Sequence, residues 1–161
     1  MWDMAHADGP TDLIGLSDGD SSFRVCVLGR RTPEVLPLHD LLDAEILVET
    51  SFLRGRLSIC FYPANLEEWS RCLAALRAGQ DVEWLNQGNG PTIRVEWPED
   101  NDEIVLIHVQ DASGSGASAR IPIVLEGDWI QQHQELLDTV RQTWPREVLV
   151  TSPGAYEWDR G

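Results

Sequence analysis

The 161-residue sequence predicts an α+β fold: one twisted, mainly antiparallel sheet of about six to seven strands, with two amphipathic helices packed on it. Three observations predict this. Most of the chain alternates apolar and polar residues with the period of a half-buried strand. Two stretches, PANLEEWSRCLAALRAG and DWIQQHQELLDTVRQTW, carry apolar residues at helical spacing instead. The links between successive strand patterns are too short for parallel crossovers, which need a dozen or more residues.

The elements follow in order. Residues 1–20 hold Gly9, Pro10, Gly15 and Gly19 amid Asp8, Asp12, Asp18 and Asp20 and read as a partly mobile arm, with DLIGL a short edge strand. Phe23, Val25 and Val27 alternate with Arg24, Cys26 and Leu28 in the first clear strand. Two prolines make GRRTPEVLPLHD a loop or a poorly formed edge. From Glu45 to Tyr62 the pattern is a hairpin, with Ile46, Val48 and Phe52 on one face, a break at Arg54-Gly55, and Leu57, Ile59 and Phe61 returning.

The first helix has Asn65 as its expected N-cap, Glu68 at the capping-box position, and Gly79 as its left-handed stop. Leu66, Trp69, Leu73 and Leu76 form its stripe. Short strands follow at Val82–Trp84 and Ile93–Trp97, then a hairpin from Glu103 to Leu125 whose connection, ASGSGA, reads as flexible. Pro122 marks the return arm as an edge. Asp128 caps the second helix and Pro145 stops it. Residues 146–161 read as an extended tail carrying Tyr156 and Trp158. No sequence repeat and no long linker divides the chain, so a single domain over 1–161 is expected.

Composition narrows the function classes. Twenty-seven acids face twelve basic residues, all of them arginine, for a net charge of -15. That field repels nucleic-acid backbones and anionic lipid, and favours a basic protein partner. No apolar run approaches the roughly 20 residues that span a bilayer. The acidic N-terminus does not read as a targeting segment, so a cytoplasmic location is expected. Cys26, Cys60 and Cys72 sit in apolar segments without CxxC spacing and read as small buried hydrophobes.

Candidate chemistry is sparse. His39-Asp40, with Asp43 nearby, is the one place where a base and its orienting carboxylate could be built from a loop, although a surface histidine is the plainer reading. His108 and His133 fall on strand and helix stripes and read as hydrogen-bonded structural residues. No HxxxH, HxH, Walker, GxGxxG or EF-hand spacing occurs, so neither metal nor cofactor is expected. Glu99, Asp100, Asp102 and Glu103, in PEDNDE, form a compact acidic tip between two strands and are the candidate partner-binding residues. Trp2 and Trp158 lie in the two tails; the other five tryptophans fall on inner faces.

The segment from Pro37 to Trp84 and the closing TWPREVLVTSPGAYEW resemble a family of short, acidic actinobacterial proteins of unknown function. Asn65, Glu67, Glu68, Trp69, Ala78 and Gly79, between paired strands and a later helix, are similar in pattern to WapI-type immunity proteins of bacterial toxin systems. That resemblance implies a shared fold and a protein partner such as a toxin domain, with no assigned contact residues. The expectation is therefore a non-catalytic, immunity-like binding protein that neutralises a partner. The alternatives are an enzyme with a loop-built site near His39 and Asp40, and an adaptor that self-associates through a sheet edge.

Overall fold

A computed structural model describes residues 9–86, 90–99 and 103–160 of the chain. Strands β1 (Thr11–Ser17), β2 (Ser22–Arg30), β3 (Leu42–Glu49) and β4 (Arg54–Phe61) pair antiparallel in chain order. Helix α1 (Pro63–Arg77) follows. A second antiparallel set, β5 (Val82–Trp84), β6 (Thr92–Glu96), β7 (Ile104–Gln110) and β8 (Ser118–Val124), is followed by α2 (Trp129–Thr143). A hairpin, β9 (Val148–Ser152) and β10 (Ala155–Trp158), occupies the residues expected as an extended tail.

The α+β class and the antiparallel pairing are as expected, but the single sheet is not. There are three separate sheets, of four, four and two strands. Alternation assigns each strand an inner face and cannot say which edges join. Here α1 intervenes between β4 and β5, and the two four-stranded sheets meet through their apolar faces instead. Phe23, Val25, Ile46 and Phe61 from one sheet join Trp84, Ile93, Ile107 and Ile123 from the other in one core. Strand β8 lies across the turn end of the first sheet. Its Val124 N–H donates to the Asp18 carboxylate in the β1–β2 turn (2.9 Å), and at its other end Ser118 borders a hollow shared with Leu53 and Arg54.

The order meander then helix thus occurs twice, and the helices are exchanged. Helix α1 packs against β5, the first strand of the following sheet, while α2 packs against β1, the first strand of the preceding one, and the helices touch each other. Each half covers the other's apolar surface.

Local chemistry fixes the element ends. Tyr62, not Asn65, is the N-cap of α1, because Pro63 is pre-set for the first helical position. Asn65 instead sits one turn in and accepts from the Tyr62 N–H (2.9 Å). The C-terminus ends as expected: Gly79 has φ 83°, its N–H donates to the Leu76 carbonyl, and Gln80 N–H donates to the Ala75 carbonyl, a Schellman pair. Asp128 caps α2 by accepting from Gln131 N–H (3.0 Å). The β3–β4 turn falls at residues 50–53, immediately before Arg54-Gly55. There the Thr50 hydroxyl accepts from the N–H groups of Phe52 and Leu53, and Phe52 is left 88% exposed at the tip rather than on the inner face. Pro122 lies on an edge strand, as expected. The ASGSGA connection is organised around Asp111, whose carboxylate accepts from both the N–H and the hydroxyl of Ser115. Cys26 and Cys72 are buried, but Cys60 is exposed on the edge strand β4. Burial pushes the Cys72 thiol up to about 11, which keeps it protonated.

His133 joins α2 to the first sheet. Strand β1 has a bulge between Asp12 and Ile14 that turns both Leu13 and Ile14 inward. Just beyond it, Gly15 N–H donates to His133 Nε2 (3.1 Å), while His133 Nδ1 donates to the Trp129 carbonyl (2.6 Å). The ring is neutral in this arrangement, and burial holds its pKa below the ordinary value of 6.5. The unfolded chain therefore binds the proton first. His133 stabilises the fold above the ordinary histidine range, and that contribution is lost as pH falls through it. Between about pH 7.5 and about pH 5.5 the urea midpoint should drop more in the native protein than in His133→Asn, although the variant starts lower. Parallel slopes for the two proteins would contradict this role.

Candidate functional site

The segment between β2 and β3 carries the site proposed from sequence, and its shape follows from its composition. Arg31 N–H donates to the Leu41 carbonyl and closes the loop at its base. Pro33 sets the first corner of a turn whose next residue, Glu34, is held at φ 69°. A left-handed non-glycine residue costs about 1 kcal/mol, and two bonds hold this one in place. Glu34 N–H donates to His39 Nδ1 (2.9 Å), and the Glu34 carboxylate receives Arg160 from the end of the chain (2.8 Å).

His39 is not a surface residue; it is 3% exposed. Because its Nδ1 is an acceptor, its Nε2 carries the proton and donates to Glu147 Oε1 (2.7 Å). The edge of the Trp158 ring packs on it, with centroids 4.8 Å apart, and the Arg160 guanidinium lies over that indole at 3.9 Å. Asp40 does not orient His39. Its carboxylate accepts from Arg30 (3.1 Å), from the Glu147 N–H (3.0 Å) and from the Val148 N–H (3.0 Å). Arg30 also donates to the His39 and Pro145 carbonyls and reaches Glu147 at 3.3 Å. The His39 hydrogen bond, aided by the Arg30 guanidinium, holds the Glu147 carboxyl below its ordinary range.

These residues form a latch that fastens the β2–β3 loop to the β9–β10 hairpin. Both nitrogens of His39 and both oxygens of Asp40 have partners, so neither is poised to take a proton from a substrate. Asp43 stands apart, half exposed and 3.9 Å from Arg31. Sequence spacing brought His39 and Asp40 together, yet Glu147, more than 100 positions away, is the carboxylate that meets the histidine. No local signal marks that pairing.

The acidic tip is reached only in part. Glu99 and Glu103 are exposed, while Asp100 and Asp102, like Trp2, lie outside the described residues. Among the described residues no cluster of three or more His, Cys, Asp or Glu has the arrangement of a metal site, and no helix is long and apolar enough to cross a membrane. Beside the latch, a groove of about 730 Å³ runs between the first turns of α1, the end of α2 and the β9–β10 hairpin.

The fold and latch define a class: an α+β protein of two antiparallel meanders with exchanged helices, closed by a hairpin on a buried polar network. The chain belongs to the Family of unknown function (DUF5959), whose model matches residues 11–145. The match includes Arg30, His39 and Asp40 and stops before Glu147, Trp158 and Arg160. No curated protein and no solved structure matches the chain.

The latch reading separates two aspartates three residues apart. Asp40→Ala should cost about 3 kcal/mol, because it removes a carboxylate from a nearly buried guanidinium and two backbone donors. Asp43→Ala should stay within about 0.5 kcal/mol, as expected for an exposed, distant pair. Urea midpoints of the two variants measure the difference, and equal losses would remove the case for a latch.

Proposed function

We propose that this protein is a small bacterial, cytoplasmic, immunity-like module that acts without catalysis, by covering and neutralising a basic protein partner such as a toxin domain. The observation that carries this reading is the distribution of charge. Nine of the twelve arginines are in ion pairs with the protein's own carboxylates among the described residues, against twenty-seven acids in all. The net charge of -15 remains as an excess of acids over arginines, and the field they set up suits a cationic partner by steering and by complementarity. The engagement of His39 and Asp40 in the latch favours binding over loop-built catalysis. The similarity in pattern to WapI-type immunity proteins supports the same reading.

Glu99, Asp100, Asp102 and Glu103 are the contact residues in this proposal, and the exposed Phe52 at the β3–β4 tip offers an apolar anchor of the kind that dominates interface energetics. Affinity capture from a native bacterial extract tests it. A basic protein should co-purify at low salt, leave the column as salt is raised, and lose its own activity when bound. Changing the four acids to Gln and Asn should slow association by about tenfold with little change in dissociation. Capture of no basic protein at low salt would refute the proposal.

A further inference from the structure

In a chain this acidic, arginines without a carboxylate partner are conspicuous. Among the described residues only Arg71, Arg120 and Arg146 make no ion pair, and two of these three, Arg71 and Arg146, line the same groove beside the latch. Arg71 projects from α1, and Arg146 leads into β9, where its Nε–H meets only the Val148 carbonyl (3.3 Å). The carboxylates along the groove are already engaged: Glu67 holds Arg141 at 2.7 Å, and Asp40 holds Arg30. The groove therefore presents two uncommitted guanidinium groups and no uncommitted acid. Its remaining wall is aromatic and apolar, with Tyr62, Trp144 and Tyr156 facing it beside Leu66 and Val150.

We infer that this groove is a binding site for a small amphipathic anion, one with an aromatic or apolar body and a carboxylate, phosphate or similar oxyanion. Size, charge and wall chemistry each point there. A volume of about 730 Å³ lies within the usual range for small-molecule sites. Arginine presents a planar fork of donors that matches oxyanions, and aromatic side chains along the wall suit a flat apolar body. The net charge of the whole chain does not forbid this. At physiological salt the Debye length is about 8 Å, so distant acids are screened while guanidinium groups in direct contact are not. None of the acids proposed to meet a protein lines the groove, and its test is independent of that partner.

The dye 8-anilinonaphthalene-1-sulfonate is a suitable probe, since its uncharged parent, N-phenyl-1-naphthylamine, has the same apolar body without the oxyanion. Fluorescence titration of the full chain should give saturable one-to-one binding of the sulfonate, with the parent at least about tenfold weaker. Arg71→Ala combined with Arg146→Ala should weaken sulfonate binding by at least about tenfold, and Arg120→Ala on β8 should leave it unchanged. Neither Arg71 nor Arg146 is in an ion pair among the described residues, so the double variant should keep the native melting temperature and near-UV spectrum, which separates lost binding from lost folding. A hexaglutamate peptide should fail to displace the dye at equal concentration. Equal binding of the parent dye, unchanged affinity in the double variant, or displacement by the peptide would each overturn the assignment.

Discussion

Everything in this fold depends on two four-stranded sheets having one apolar face each and no other surface on which to bury it. A lone antiparallel meander with an apolar face exposed to water is not stable, and the two here resolve the problem by facing each other. The exchanged helices make the arrangement mutual: α1 covers the start of the second sheet and α2 the start of the first. Trp69 on α1 and Trp84 on β5, with centroids 5.2 Å apart, and Phe61 on β4 concentrate burial where the halves meet. Truncating a buried aromatic of that size typically costs about 3–5 kcal/mol, a large share of any domain's stability. The halves are therefore held as one unit by apolar contact, with polar groups deciding alignment.

The polar groups at the seams have that role. His133 caps a bulge in β1, Asp18 meets the end of β8, and Asp40 receives the backbone as it leaves α2. Each satisfies backbone N–H groups that strand pairing leaves over, which would otherwise be costly to bury. The latch goes further. It includes a residue held in the left-handed region, an arginine that is nearly buried, and an indole stacked beneath a second arginine. Such a network adds specificity more than net stability, because desolvating its charges offsets much of their attraction. What it specifies is the position of the β9–β10 hairpin, and with it one wall of the arginine-lined groove.

Charge is consequently sorted by place. Most arginines are neutralised by neighbouring carboxylates, which leaves the exterior dominated by the excess of acids. Among the described residues Arg71, Arg120 and Arg146 are the exceptions, and two of them, Arg71 and Arg146, line the groove proposed to take an anion. The acidic exterior proposed to face a protein and the groove proposed to accept an anion are compatible because screening confines each to its own few ångströms.

Much of this was determined by the sequence alone. Alternation at Phe23, Val25 and Val27, the stripe through Leu66, Trp69, Leu73 and Leu76, the stop at Gly79 and the cap at Asp128 are local signals, set by periods of two and 3.6 residues and by single-residue backbone preferences. They sufficed for the α+β class, the order of elements and the antiparallel pairing of neighbours. Tertiary structure alone decided that the strands divide into separate sheets, that the helices exchange partners, that His39 is buried, and that Glu147 rather than Asp40 meets it. The reason is physical. Which apolar face covers which, and which distant carboxylate satisfies a buried histidine, are choices among contacts of long sequence separation, and the local periodicity is the same for every one of those choices.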